Sequence, residues 1–116
     1  AIYSNLDYPV SRNEVQTRRA DIFSENPYAN NTSKIYQVNS QNSRYIQLNF
    51  EYLDTEVAFD SLQIENDAGK VLDKVSGHFK NFKTIFYPYS TLNIRILSDH
   101  SGQDKGFHIS EINYVD

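Results

Sequence analysis

The chain contains no cysteine, methionine or tryptophan, and only 4 glycines and 3 prolines in 116 residues. The missing thiols exclude a disulfide scaffold, zinc sites built on thiolates, and thiol catalysis. They do not decide a compartment. No apolar run approaches the roughly 18 residues of a membrane span, and no basic-then-apolar opening resembles a signal peptide. A chain that starts at Ala1 and lacks Met reads as a processed product or an excised domain, which leaves room for a removed leader. Excess positive charge is missing too: 11 Lys plus Arg stand against 15 Asp plus Glu, for a net charge of -4. With a pI near 5.3 the chain lacks the basic face of a nucleic-acid binder.

What is present points to one folded domain. Leu, Ile, Val and Phe make up 31 of 116 residues, above the level of about 20% below which chains tend to stay disordered. Folding is therefore expected despite a mean hydropathy of -0.63. Val, Ile, Thr, Tyr and Phe number 38 against 12 for Ala and Leu together, a bias towards strands. Short period-two segments agree with it. Ile46, Leu48 and Phe50 share one face against Tyr45, Gln47 and Asn49; Leu62 and Ile64 share another; Leu92, Ile94 and Ile96 oppose Asn93 and Arg95; Phe107 and Ile109 close the series.

Turn-rich stretches separate these segments: Asn26 to Asn31, Asn39 to Ser43, Asn66 to Gly69, Ser76 to His78 and Ser98 to Gly102. Half-buried strands of this kind predict antiparallel sheets with one wet face, and two such sheets packed together give an all-β sandwich. Residues 1–19 alternate more weakly and read as a linker or an added edge strand, with the sandwich domain over 20–116.

Catalytic constellations are hard to assemble. The only imidazoles are His78, His100 and His108; His108 alternates with Phe107 and Ile109 and is expected to face water, and His100 sits in a polar loop beside Asp99. No G-x-S-x-G, glycine-rich phosphate loop or H-E-x-x-H occurs, so the chain is not expected to be an enzyme. The acidic loops carry more. Leu53 to Asp60 places Asp54, Glu56 and Asp60 between two strands, and Ser98 to Asp104 adds Asp99 and Asp104 after another. Hard cations such as Ca²⁺ take about 6 to 8 oxygens from carboxylates, carbonyls and water, which sharply turning loops can aim inward. Turn acids also cap local backbone N–H groups, so spacing alone leaves both readings open.

Five segments follow one another in a telling order: "DIFSENPYANNTSKIYQV", "IQLNFEYLDTE" (Ile46 to Glu56), "FDSLQI" (Phe59 to Ile64), "LNIRILSDHS" (Leu92 to Ser101) and "GF" (Gly106 to Phe107). Together they resemble the CUB domain. The first is similar to the family's opening segment and its following C-x-W-x-I, with Lys34, Tyr36 and Val38 at the cysteine, tryptophan and isoleucine positions. The resemblance covers about Ala20 to Tyr114 and implies a CUB-like jelly-roll of two antiparallel sheets, a secreted binding module without catalysis, and Ca²⁺ at one loop end. Carried over position by position, it makes Glu56, Asp60 and Asp99 carboxylate ligands and Ser101 or Gly102 a carbonyl ligand. Tyr28 would brace the site, with Asp54 and His100 close by or at the partner surface.

The same resemblance implies a protein partner that inserts a lysine at the site, within or next to a secreted multidomain protein such as a protease. Two departures stand out: both family disulfides are missing, and the Glu56 to Asp60 loop is short. Glu111, where the family tends to bury a tyrosine, predicts a bulge that lets Ile112 and Tyr114 return inward. Two further readings compete. Tyr87, Tyr89 and Tyr45 are candidates for a sugar-stacking surface of a carbohydrate-binding module, and the chain is also readable as a structural domain that packs against its own protease. Asn30-Asn31-Thr32 and Asn31-Thr32-Ser33 match the N-glycosylation sequon, although twelve asparagines make chance matches common.

Overall fold

The computed structural model describes Ile2–Tyr3 and residues 10–116. Among the described residues, nine strands form two antiparallel sheets: β1 (Ile2–Tyr3), β2 (Gln16–Phe23), β3 (Ser33–Asn39), β4 (Tyr45–Asp54), β5 (Ser61–Glu65), β6 (Val71–Val75), β7 (His78–Thr84), β8 (Thr91–Leu97) and β9 (Gly106–Val115). One sheet runs β1-β7-β4-β9-β2 and the other β3-β8-β5-β6. The only helical element among the described residues is a single 3-10 turn at Arg12–Glu14. The all-β sandwich read from the alternation is the fold observed.

The core lies between the sheets, on the faces the alternation marks. Ile46, Leu48, Ile109 and Ile112 come from one sheet and Leu62, Ile64, Leu92 and Ile94 from the other, all without solvent exposure. Register aligns them, with Leu62 opposite Ile96 and Ile64 opposite Ile94. Burying side chains of this size contributes about 1.5–3 kcal/mol each, which is how a small sandwich without disulfides holds together. Ile109 and Ile112 both face inward although they are three apart. The expected bulge explains this, because Asn49 pairs with Glu111 and the next residue, Phe50, with Ile109, leaving Ser110 as the extra residue.

One expectation changes. Gln47 and Asn49, assigned to a wet face, are buried. They lie on a central strand, where Gln47 Nε2 donates to the Thr84 carbonyl (2.8 Å), Asn113 Nδ2 to Gln47 Oε1 (2.6 Å), and Thr17 Oγ1 to Asn113 Oδ1 (2.6 Å). Polar side chains on three neighbouring strands thus satisfy one another in place of water. β2 runs across the boundary between residues 19 and 20 as the edge strand of its sheet, with Gln16 to Arg19 paired to Tyr114 to Glu111. Within 1–19, Ile2–Tyr3 pairs with β7; residues 1 and 4–9 lie outside the described residues.

Candidate metal centre

Three connections meet at one end of the sandwich: residues 24–32 after β2, 55–60 between β4 and β5, and 98–105 between β8 and β9. The middle one is a tight turn. The Asp60 N–H donates to the Glu56 carbonyl at 3.0 Å, and Ala58 takes a positive φ of 69°. Ser76 clamps it, accepting from the Ala58 N–H (3.0 Å) and donating to the Asp60 carbonyl (2.7 Å). The short spacing therefore puts Glu56 and Asp60 on the same side of one turn.

Asp99 lies two residues beyond the end of β8 and closes on that turn. Its N–H donates to Asp60 Oδ1 at 2.9 Å, and the Ser101 N–H donates to Asp99 Oδ1 at 3.2 Å. One oxygen from each of Glu56, Asp60 and Asp99 lies within 4.8 Å of the other two. Tyr28, 2% exposed, runs beneath the cluster: its hydroxyl donates to Asp60 Oδ2 (2.7 Å) and accepts from the Glu56 N–H (3.0 Å). Burial beside a carboxylate pushes the phenol well above its ordinary value, so it remains a donor.

Glu56 is the carboxylate left over. Its Oε1 is buried with no hydrogen-bond partner, and the side chain lies across Gly102, where an added Cβ would stand 1.6 Å from Oε2. Gly102 also has φ +86°, so glycine is required there twice over. Desolvation first, and then the charges of Asp99 and Asp60, raise the Glu56 carboxyl above its ordinary value. A carboxylate with one orphaned oxygen, clustered with two others, is a donor set for a hard, oxygen-seeking cation, which would sit among groups that now repel one another. No sulfur or ring nitrogen belongs to it.

Of the site residues expected from sequence, Glu56, Asp60 and Asp99 come together, Tyr28 sits against two of them, and Ser101 and Gly102 flank them. His100 is exposed, close enough for its charge to oppose the rise at Glu56. Asp54 stands apart, with its Oδ1 2.9 Å from His78 Nδ1. His108, expected to face water, is half-buried between Glu51 (3.0 Å) and Asp21 (3.2 Å). Tyr87, proposed as an exposed sugar platform, is 2% exposed and belongs to the core; Tyr45 and Tyr89 are half-buried. Sequence reasoning missed Ser76 and Gln103, whose side-chain amide donates to the Tyr28 carbonyl at 2.8 Å. Both act on backbone brought together only by folding, and no spacing rule marks them.

The architecture is a two-sheet β-sandwich with an acidic cluster on its end loops. The CUB domain profile matches residues 11–110, and the chain belongs to the CUB domain family. No curated protein matches the sequence. Among solved structures, the MASP-1 CUB2 domain bound to Ca²⁺ aligns with a TM-score of 0.62 at 21% identity, over 89% of this chain and 93% of that one. The human MASP-1/3 CUB1-EGF-CUB2 structure aligns with a TM-score of 0.60 at 20% identity, over 88% of this chain and 39% of that one. The present chain thus spans well under half of that multidomain relative. At these identities the likeness establishes the shared fold. No helix among the described residues is long and apolar enough to cross a membrane.

Proposed function

We propose that the chain is a non-catalytic, extracellular protein-recognition module whose Glu56, Asp60 and Asp99 hold Ca²⁺, with a backbone carbonyl of Ser101 or Gly102 completing the protein ligands. The observation that carries this reading is the buried, unpartnered Glu56 Oε1 inside a three-carboxylate cluster. Leaving a buried carboxylate oxygen unsatisfied is costly unless a cation arrives. Membership of the CUB family, and a fold relative solved with Ca²⁺, support the choice of metal and role.

When bound, the cation supplies the positive charge that lets three carboxylates face one point. Tyr28 does the positioning from the chain's side: one hydroxyl holds Asp60 and the Glu56 backbone at once. Three carboxylates against one divalent ion leave net negative charge at the rim. A lysine of a protein partner is the fitting counter-group, reached by a charge-assisted hydrogen bond to an already ordered acceptor. The parent is a secreted multidomain protein, such as a protease.

Thermal melting in CaCl₂ and in chelator tests the reading. Ligand at about 100 times its Kd adds about 2.7 kcal/mol to the folded state, so melting should rise with Ca²⁺, and Asp60→Asn should abolish the rise. Unchanged melting together with a flat calorimetric titration would leave the acids as turn caps only.

A further inference from the structure

The outer face of the five-stranded sheet is irregular at one place. Phe50 pairs with Ile109 and Tyr52 with His108, so β4 carries Glu51 as an extra residue. This bulge turns Glu51 and Tyr52 to the same face: Glu51 Oε2 lies 3.0 Å from His108 Nδ1, and the Tyr52 ring meets the same imidazole edge-on at 6.2 Å. On the other side of β4, Phe50 pairs with Phe82 and Tyr52 with Lys80, which sets Asn81 across the ladder from Glu51. Asn81 has a left-handed φ of 49°, a conformation uncommon inside a strand, and such outliers gather at binding sites. Two recesses of about 430 and 490 Å³ meet here, and Glu51 and Asn81 line both.

The groove they form is charge-balanced. Lys80, Lys83 and Lys105 stand against Glu51, Asp54 and Glu111, so neither a polyanion nor a polycation is favoured. Hydrogen-bonding groups of both kinds are plentiful. His108 holds one oxygen of Glu51 and His78 one oxygen of Asp54, which fixes both acceptors and leaves the second oxygen of each to a ligand. On the donor side, Lys80, Lys105 and the side-chain amides of Asn26 and Asn81 make no hydrogen bond or ion pair among the described residues. An aromatic ring lines each recess, Tyr52 the first and Phe82 the second. They are two residues apart along the ladder, about 7 Å, and Phe82 is anchored by stacking on the core residue Phe50 at 4.7 Å. We infer that this groove binds an uncharged oligosaccharide. The rings receive the apolar C–H faces of successive sugars, and each sugar hydroxyl, at once donor and acceptor, meets lysine or amide donors and carboxylate acceptors. Because the polar groups sit on paired strands, little ordering is lost on binding. None of Tyr45, Tyr87 and Tyr89 lines the groove, and none of Glu56, Asp60 and Asp99 does, so the inference stands apart from the metal site.

The test is an NMR titration of the labelled full chain with cellohexaose, maltohexaose, mannohexaose and chitohexaose, beside a heparin hexasaccharide as the anionic counterpart. At least one of the four uncharged chains should give saturable shifts centred on the amides of residues 50–52 and 80–83. Its monosaccharide, which reaches only one of the two rings, should bind at least about 10-fold more weakly. Tyr52→Ala should weaken the hexasaccharide by about 10-fold or more, and Tyr52→Phe, which keeps the ring, should retain most of the affinity. Lys80→Ser, at an exposed position, should fold normally and also weaken binding, so it decides the matter if Tyr52→Ala does not fold. The inference is overturned if none of the four shifts these amides, or if binding survives unchanged in Lys80→Ser and Tyr52→Ala. Tighter binding of the heparin fragment than of all four overturns it as well, because the groove would then be an anion site.

Discussion

Two buried acids in this molecule meet the same electrostatic problem in opposite ways. Glu65 on β5, its side chain 3% exposed, takes two hydrogen bonds from Arg95 on β8, at 2.7 Å from Nε and 3.3 Å from Nη2. Arg95 also reaches Ser33 Oγ on β3 at 2.7 Å, so one guanidinium ties three strands. Asp60, 1% exposed at the loop end, receives a phenol and a backbone N–H, and its charged neighbours are Glu56 and Asp99. The ion pairs found among the described residues engage Asp21, Glu25, Glu51, Asp54, Glu65 and Asp104, never these three. A carboxylate taken from water must be compensated. The sheet supplies its own cation, whereas the loop end, under the proposed function, takes one from outside.

That contrast can be broken by mutation, and the largest effect is expected at Asp60. Asp60→Ala strands the Tyr28 hydroxyl and the Asp99 N–H together, and should cost about 3 kcal/mol in urea unfolding, since each buried orphan is worth about 1–3 kcal/mol. A loss under 1 kcal/mol would show that the cluster is not a structural keystone. Glu65→Ala leaves a partly exposed guanidinium and should cost about 2 kcal/mol, somewhat below the fully buried case. Its cost should be the same in Ca²⁺ and in chelator, whereas that of Asp60→Ala should grow in Ca²⁺. Equal calcium sensitivity of the two variants would erase the distinction between the regions.

Gly102→Ala sharpens the comparison by moving only the Glu56 carboxylate. The strained φ should cost about 1 kcal/mol, and the displaced side chain should remove the calcium response. A retained response would place Glu56 outside the ligand set. The smallest effect is in the pH dependence without metal. Because the folded-state carboxyl of Glu56 is raised, the folded chain holds that proton more tightly than the unfolded chain does. Its contribution is therefore full below the ordinary value near 4.5 and lost as pH rises through the raised one. In chelator, Glu56→Gln should melt above wild type at neutral pH, and the gap should close on acidification. A gap independent of pH would put the effect elsewhere.

Much of the fold was legible because alternation is a local property. Ile46, Leu48, Ile64, Ile94 and Ile109 were marked as core by period two and are buried. β6 and β7 were not, because Val71–Val75 and His78–Thr84 carry few buried apolar residues. The site was legible in part. Glu56, Asp60 and Asp99 were singled out because the loops are acid-rich and match a family pattern. Asp54 belongs to the same acid run, yet it ends β4 opposite His78 and is not one of the three clustered carboxylates. Tyr87 was a candidate for a surface ring, but it bridges to Ile46 and packs in the core.

The amino-acid sequence determined by itself the strand faces, the all-β class, the turns, and which loops are rich in acid, since each depends on side-chain polarity over a few neighbours. Tertiary structure alone decided which acids meet, which stay unpaired, and that Val57 and Phe59 face water while Gln47 does not. Those outcomes depend on backbone from distant segments: Tyr28 beneath Asp60, Gly102 against Glu56, and Arg95 beside Glu65. Electrostatic compensation is set by distance in space, and the order of residues along the chain does not encode that distance locally.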